Sequence, residues 1–163
     1  LNNGIFLETK RLLILGAGGA ARGILPSLIE KSPSSITIAN RTIEKAEQLQ
    51  QEFSHLQLIE VVGFEDFDEL GGEPYDVIIN ATSLGIQGKT PNISSKAVKP
   101  STCCYDLMYS SDDTAFVKWA LDNKAKKAID GLGMLVEQAA VSFEIWLGAI
   151  PDTRVVIDRI RLG

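Results

Sequence analysis

The sequence has very little histidine and cysteine: one histidine, His55, and two cysteines, Cys103 and Cys104, among 163 residues. A histidine-based catalytic triad would have to use His55, and a four-ligand zinc site cannot be assembled from these three side chains. Neighbouring cysteines bridge only with strain, so both are expected to be free thiols that pack in a strand in a reducing cytoplasm. The composition therefore predicts no metal site, and no role is assigned to the two cysteines. His55, in a polar link far in sequence from every motif, is expected to be exposed.

Long hydrophobic runs and excess positive charge are also missing. No run is long enough to cross a membrane, although 45% of the residues are hydrophobic. The formal net charge of −5 argues against general nucleic-acid binding but leaves room for a local cationic pocket. The 163 residues fit one globular domain. The chain begins at Leu1 rather than at methionine and reaches a strand signal early, which predicts a piece of a longer protein.

Short β-rich runs alternate with helical patterns along the chain, as in βαβ units with a parallel sheet. Strands are predicted at residues 11–15, 35–40, 58–62, 76–80, 102–106 and 127–130. Helices are predicted at residues 20–31, 42–53, 114–123, 133–147 and 153–162. The fourth helix is apolar almost all round and is expected to lie buried between layers, and the fifth is expected to turn Val156, Ile157 and Ile160 inward.

This order of elements predicts an α/β fold of the Rossmann type, a doubly wound, mainly parallel six-stranded sheet with helices on both faces. In such a fold, ligands bind beyond the carboxyl ends of the strands, where the strand order switches. Candidate functional residues are therefore sought at the ends of the predicted strands.

A glycine-rich turn follows the first predicted strand and fits the pattern G-x-G-x-x-A: Gly16, Ala17, Gly18, Gly19, Ala20 and Ala21. Gly16 allows the tight turn, Gly18 lets the backbone approach a pyrophosphate, and Ala21 permits close packing of helix on sheet. The free N–H groups at the start of the next helix attract phosphates. Between a strand and a helix this motif predicts a dinucleotide site, and the alternative is a glycine-rich turn without a ligand.

The end of the second strand distinguishes NAD from NADP. A carboxylate there would bind the adenine ribose hydroxyls of NAD, but the strand ends in Asn40, Arg41 and Thr42. A guanidinium holds the 2′-phosphate of NADP well, and the Thr42 hydroxyl and the charge of Lys45 are close in sequence. The pattern therefore favours NADP. Alternatively, Arg41 and Lys45 are solvated surface charges and Thr42 is only a helix N-cap.

Three more motifs lie at predicted strand ends: I-N-A-T-S-L-G at residues 79–85, Y-D-L-M-Y at 105–109 and D-G-L-G-M-L-V-E-Q at 130–138. Together with G-A-G-G-A-A-R and N-R-T, in this order and spacing, they closely resemble the C-terminal, NADP-binding domain of the shikimate dehydrogenases. The resemblance covers essentially the whole chain, residues 1–163. It implies a cytoplasmic oxidoreductase of aromatic amino-acid (chorismate) biosynthesis that uses NADPH to reduce 3-dehydroshikimate reversibly to shikimate.

The resemblance also implies roles for individual residues. The turn at 16–21 matches the family's phosphate loop, with Ala21 where many members have serine. Residues 40–42 match the 2′-phosphate clamp, and Lys45 stands where members often have arginine, which keeps the charge but loses the fork geometry. Thr82 and Ser83 match a loop that lines the cofactor.

Four further positions match the nicotinamide and substrate end. Leu107 and Gly131 match positions whose backbone carbonyls meet the nicotinamide. Tyr109 and Gln138 match residues that reach toward the hydroxyls and carboxylate of shikimate. Alternatively, Tyr109 is an interfacial aromatic and Gln138 a polar residue on the inner face of a mostly apolar helix, where a buried amide needs partners.

No catalytic residue is expected in this chain. In the family, the proton donor and its partner are a lysine and an aspartate on an N-terminal substrate domain, which these residues do not include. The phenol of Tyr109 is a poor proton donor without help from its surroundings. We therefore expect the chain to bind NADP without turnover, as a monomer or homodimer, with no nucleic-acid or membrane partner.

Two alternative functions remain. One is the domain of an NAD-preferring quinate/shikimate dehydrogenase, which the N-R-T motif at residues 40–42 disfavours. The other is a non-catalytic, NADP-binding regulatory module, which the substrate-matching Tyr109 and Gln138 disfavour.

Overall fold

The computed structural model describes residues 3–67 and 72–162. Leu1, on which the expectation of a longer protein rests, lies outside the described residues. The strands are β1 Arg11–Leu15, β2 Ser35–Asn40, β3 Ile59–Gly63, β4 Val77–Asn80, β5 Cys103–Asp106 and β6 Lys127–Ile129. The helices are α1 Gly19–Ile29, α2 Ile43–Phe53, α3 Ala115–Asp122, α4 Leu132–Leu147 and α5 Thr153–Leu162. Each predicted strand and helix is therefore confirmed to within two residues of its bounds.

The six strands form one parallel sheet in the order β3-β2-β1-β4-β5-β6. Leu13 of β1 is in register with Thr37 of β2 on one side and with Ile78 of β4 on the other. The strand order therefore reverses between β1 and β4, which is the switch point of a Rossmann-type fold. This confirms the predicted fold class. No helix in the described ranges has the length and apolar character that a membrane crossing requires.

Two hydrophobic cores lie on opposite faces of the sheet, because alternate residues of a strand point to opposite sides. Leu12 and Ile14 of β1 pack in the core that includes the inner faces of α1 and α2. Leu13 and Leu15 pack in the other core, which includes Phe116 of α3. Helices therefore cover both faces, and the near-continuous apolar strands follow from burial on both sides.

Helix α4 is not buried between layers, so that prediction is wrong. Its buried residues are Leu132, Val136 and Ala140 only, and Trp146 near its end is 80% exposed. The apolar composition predicts burial along the whole helix, but the buried positions end at Ala140. The second half of the helix is not buried by other elements in the described part of the chain. A helix that is hydrophobic all round is commonly buried, but only where other elements reach every face.

The inward face predicted for α5 is also largely wrong. No residue of α5 is buried: Val156 is 41% and Ile160 53% exposed, and only Ile157 is half-buried. The helix packs against α4, and this contact buries none of its residues fully, so the broad buried face that its amphipathic pattern indicates does not form.

The scarce residues behave as predicted. Cys103 and Cys104 are free thiols in β5, and burial, followed by the neighbouring thiol, raises the pKa of Cys104 to about 12. A thiol with so high a pKa is a packing residue rather than a nucleophile. His55 lies in the exposed link between α2 and β3.

Candidate dinucleotide-binding site

The first turn of the site leaves β1 at Gly16, in a conformation that requires glycine. Gly16 has a φ of +101°, and its N–H donates to the carbonyl of Ala39 at 2.7 Å. A Cβ at this position would lie 3.0 Å from the carbonyl oxygen of Ala81. The chain therefore turns tightly between the ends of β2 and β4, at the switch point.

Space remains open where a phosphate would lie. Gly18 is the N-cap of α1, and as a glycine it has no side chain to cap the N–H groups of the helix. A Cβ on Gly18 or Gly19 would meet nothing within 4 Å. Ala21 faces the other way and is fully buried against the sheet. The first N–H groups of α1, which have no partner within the helix, therefore face an open surface that suits an anion.

Asn40 ties the glycine turn to the end of β2. Its Oδ1 accepts a hydrogen bond from the N–H of Ala17 at 3.2 Å, and its Nδ2 donates to the carbonyl of Thr42 at 2.7 Å. Asn40 is thus a structural link between the phosphate turn and the segment predicted to bind the 2′-phosphate.

The cationic residues beside this link are available to a ligand. Arg41, Thr42 and Lys45 are exposed, and Arg41 and Lys45 form none of the ion pairs found in the described ranges. Thr42 occupies the N-cap position of α2, but its side chain makes no capping hydrogen bond. The interpretation of Thr42 as only a cap is therefore not favoured.

A cleft of about 420 Å³ lies between α1 and α4 at the carboxyl ends of β4 and β5. Five of its lining residues are sequence-predicted site residues: Ala20, Thr82, Ser83, Leu107 and Gln138. The others are Gly23, Ile24, Ala81, Met108 and Met134. None of these lining side chains titrates near neutral pH.

Ile24 and Met134 line the cleft although neither is a predicted site residue. Both could have been found from helical spacing, because Ile24 lies four residues after Ala20 and Met134 lies four residues before Gln138. Each pair places two side chains on one face of its helix, α1 or α4. Both side chains make the wall of the cleft more apolar.

Tyr109 and Gly131 are not among the residues that line this cleft. Tyr109 follows Met108 but is 51% exposed. Gly131 is buried beside Leu107 and donates its N–H to the carbonyl of Met108 at 2.8 Å. Gln138 is exposed at the cleft, so the expectation that its amide lies on an otherwise buried face is wrong.

A buried polar network that the sequence analysis also missed lies under the cleft. Asn80 and Asp106, at the ends of β4 and β5, are both fully buried, and Asn80 Nδ2 donates to Asp106 Oδ1 at 2.9 Å. Burial raises the pKa of Asp106, although hydrogen bonds from Thr114, the N–H of Met108 and Asn80 oppose the shift. The nearby charge of Asp130 adds to the rise.

Two protein-family models match the chain. The model described as shikimate / quinate 5-dehydrogenase matches residues 2–104, and that described as shikimate 5′-dehydrogenase C-terminal domain matches residues 131–161. The curated NADP(+) shikimate dehydrogenase of Colwellia psychrerythraea is 48% identical over 99% of this chain and 57% of the relative. That of Alkalilimnicola ehrlichii is 45% identical over 99% of this chain and 58% of the relative. The chain thus spans somewhat more than half the length of these relatives.

Solved structures show the same fold. The Ael1 enzyme of Pseudomonas putida superposes with a TM-score of 0.87 at 37% identity, over 99% of this chain and 58% of that one. The ligand-free 5-ketofructose reductase of a Gluconobacter strain gives 0.82 at 30% identity, over 99% and 59%. A shikimate dehydrogenase in complex with NADP+ gives 0.78 at 36% identity, over 94% and 54%.

Proposed function

The chain belongs to the shikimate and quinate 5-dehydrogenase family, and from that premise we propose that residues 1–163 form the NADP-binding domain of a shikimate dehydrogenase. The reaction is the reversible, NADPH-dependent reduction of 3-dehydroshikimate to shikimate in aromatic amino-acid biosynthesis. One observation carries the proposal: the open glycine turn at Gly18 and the exposed Arg41 lie at the same sheet edge, joined through Asn40.

The phosphate end of the dinucleotide is bound by backbone and charge. The N–H groups at the start of α1 take the pyrophosphate, and Gly18 leaves room for its approach. Arg41, with Thr42 and Lys45, takes the 2′-phosphate, because a guanidinium fork matches phosphate oxygens. This cluster supports NADP rather than NAD, since no carboxylate stands at the end of β2 to bind a free ribose hydroxyl.

The nicotinamide end fits the cleft between α1 and α4. Thr82 and Ser83 line one part of it, and Leu107 another; the backbone carbonyls of Leu107 and Gly131 are proposed to orient the ring. NADPH, when bound, supplies the hydride. Gln138 at the cleft and Tyr109 beside it are proposed to contact shikimate from this side.

The proton is proposed to come from elsewhere in the enzyme. The lining residues offer no titrating side chain, and the relatives carry more than two fifths of their length beyond the matched part. We therefore place the proton donor and most substrate contacts in that additional part and expect this chain alone to bind NADPH without turnover. The two free thiols are consistent with a reducing cytoplasm. We propose that the protein is a monomer or a homodimer there.

Fluorescence titration with NADPH and NADH tests the proposal. We expect NADPH to bind more tightly, and Arg41→Ala to raise the Kd for NADPH by about tenfold or more while leaving NADH almost unchanged. Arg159→Ala, which removes an exposed arginine on α5, is the matched control and should change neither Kd.

Each other result has a distinct meaning. Failure to bind NADPH contradicts a cofactor domain, and tighter binding of NADH supports the NAD-preferring alternative. Shikimate oxidation by the 163-residue chain would overturn the placement of the proton donor. Retained NADPH binding without turnover in the full-length protein would support the regulatory module instead.

A further inference from the structure

Asp106 lies where three segments around the cleft meet, and the functional assignment leaves it without a role. We propose that Asp106 is a positioning residue: with Asn80 it fixes the loops of Thr82 and Met108 at the separation that the nicotinamide end of the cofactor requires. This inference rests on the proposed function and assigns a purpose to a carboxylate that touches neither cofactor nor substrate.

The Asp106 carboxylate accepts three hydrogen bonds from three different segments. Its Oδ1 accepts from Asn80 Nδ2 at 2.9 Å and from the N–H of Met108 at 3.1 Å, and its Oδ2 accepts from Thr114 Oγ1 at 2.6 Å. Thr114 Oγ1 in turn accepts from the N–H of Val117 as the N-cap of α3. The start of α3 and the loop after β5 are therefore anchored on one carboxylate.

Asn80 extends this anchor to the loop after β4. Its Oδ1 accepts from Thr82 twice, from the N–H at 3.2 Å and from the hydroxyl at 2.8 Å. Thr82 and Met108 both line the cleft, so two parts of its wall are tied to Asp106, one directly and one through Asn80. A change at Asp106 thus moves both parts of the wall.

The cost of burying this group indicates a role beyond stability. A fully buried carboxylate loses its hydration, and apolar residues of similar volume often stabilise a core as well or better. The hydrogen bonds also run in one direction. Thr82 donates to Asn80, and Val117 donates to Thr114. Asn80 and Thr114 in turn donate to Asp106. Such an arrangement holds one geometry, which is what a binding wall needs.

A comparison within the same protein separates positioning from stability. Thr102, at the opposite end of β5, is also fully buried, and its hydroxyl donates to the carbonyl of Tyr75 at 2.6 Å and accepts from the N–H of Lys99 at 2.9 Å. It is not among the residues that line the cleft. Thr102→Val therefore removes a buried hydrogen-bonded group without touching the proposed site.

The experiment titrates the 163-residue chain with two probes, NADPH and adenosine 2′,5′-bisphosphate, which keeps the 2′-phosphate but has no nicotinamide. Asp106→Ala should weaken NADPH about tenfold, the loss expected when hydrogen bonds that hold a binding wall are broken, and leave the bisphosphate unchanged. Asp106→Asn, which keeps the acceptor Oδ1, should recover most of the NADPH affinity. Thr102→Val should affect neither probe.

The outcomes keep the two proposals apart. Wild-type protein that does not bind NADPH contradicts the proposed function itself. Suppose instead that the wild-type protein binds NADPH. If Asp106→Ala then binds both probes normally, or binds both more weakly by the same factor, the positioning role alone is overturned. If Asp106→Ala fails to fold by circular dichroism, Asn80→Ser is judged by the same two probes and the same criterion. This variant removes the amide that joins Thr82 to Asp106 and keeps the Asp106 hydrogen bonds with Met108 and Thr114.

Discussion

Leu107 and Gly131 interlock at the ends of β5 and β6: a Cβ on Gly131 would lie 2.8 Å from the carbonyl carbon of Leu107. The N–H of Gly131 also donates to the carbonyl of Met108 at 2.8 Å. The start of α4 is thereby pressed against the loop that forms part of the cleft wall. Any side chain at position 131 has to push this loop away.

Gly131→Ala is therefore expected to destabilise the protein by about 1–3 kcal/mol, the usual cost of forcing extra atoms into a packed site, and to weaken NADPH binding. Gly133→Ala, two residues further in α4, is the control, because a Cβ there meets nothing within 4 Å. It should raise the free energy of unfolding by up to about 1 kcal/mol, since alanine favours a helix over glycine. Urea unfolding measures both, and equal stability of the two variants would contradict the steric argument.

The two key glycines of the first turn should respond differently to alanine. Gly16→Ala places a Cβ at a φ of +101° and 3.0 Å from the carbonyl oxygen of Ala81, so it should lower the free energy of unfolding by at least about 1 kcal/mol. Gly18→Ala has open space and an ordinary φ of −91°, so the fold should be nearly unchanged while NADPH binding is lost. Thermal unfolding and NADPH titration together test the pair, and normal NADPH binding by Gly18→Ala would argue against the phosphate assignment.

An ion pair at the amino end of the sheet should make stability depend on pH. Lys99 Nζ lies 2.8 Å from Asp76 Oδ1. Burial raises the pKa of Asp76, but the Lys99 hydrogen bond, the N–H of Arg11 and the charges of Lys99 and Lys10 outweigh it and lower the pKa below its usual value. Because the pKa of Asp76 is lower in the folded state, the ionised carboxylate stabilises the fold at every pH above the unfolded-state pKa of about 3.9. This stabilisation is lost as the pH falls through the folded-state pKa.

Lys99→Met should therefore lower the free energy of unfolding at pH 7 by about 1 kcal/mol or less, because the pair is partly exposed. The difference from wild type should shrink as the pH falls through the lowered folded-state pKa of Asp76, because the carboxyl is then protonated in both proteins. Lys96→Met, an exposed lysine three residues away, is the matched control. A deficit that stays constant with pH would show that lost side-chain packing, and not the ion pair, causes it.

Helix α5 is held mainly by polar contacts at its two ends. Arg161 forms an ion pair with Asp130 and donates to the carbonyl of Ser110 at 3.4 Å, and Thr153 Oγ1 donates to Glu137 at 2.7 Å. Arg161→Met removes the first contact and leaves the buried Asp130 carboxylate without its cation. We expect faster amide exchange throughout α5, with β1 and β4 unchanged, because α5 has no buried residue of its own.

Arg159→Met provides the comparison on the same helix, since Arg159 is exposed and takes no part in these contacts. Hydrogen exchange followed by mass spectrometry resolves the two variants. Equal protection of α5 in both would mean that Arg161 does not hold the helix.

Local signals were sufficient for the strands and for the phosphate turn. The run Leu12–Leu15 is apolar because β1 is covered on both faces, and Gly16 follows because the backbone must turn there with a positive φ. Such features depend on a few consecutive residues and can therefore be predicted from the sequence. The Asn80–Asp106–Thr114 network was missed because its members are brought together only when β4 and β5 pair.

The order of elements, the glycine turn and the cationic end of β2 can be predicted from the sequence, because each depends on neighbouring residues and on the hydrophobic period. Which side chains share the cleft and which apolar residues are covered depends on how the elements pack together. Helix α4 shows why: its composition predicts burial, yet Trp146 is 80% exposed. Burial depends on what lies opposite a side chain, and that is fixed by contacts between residues far apart in the chain.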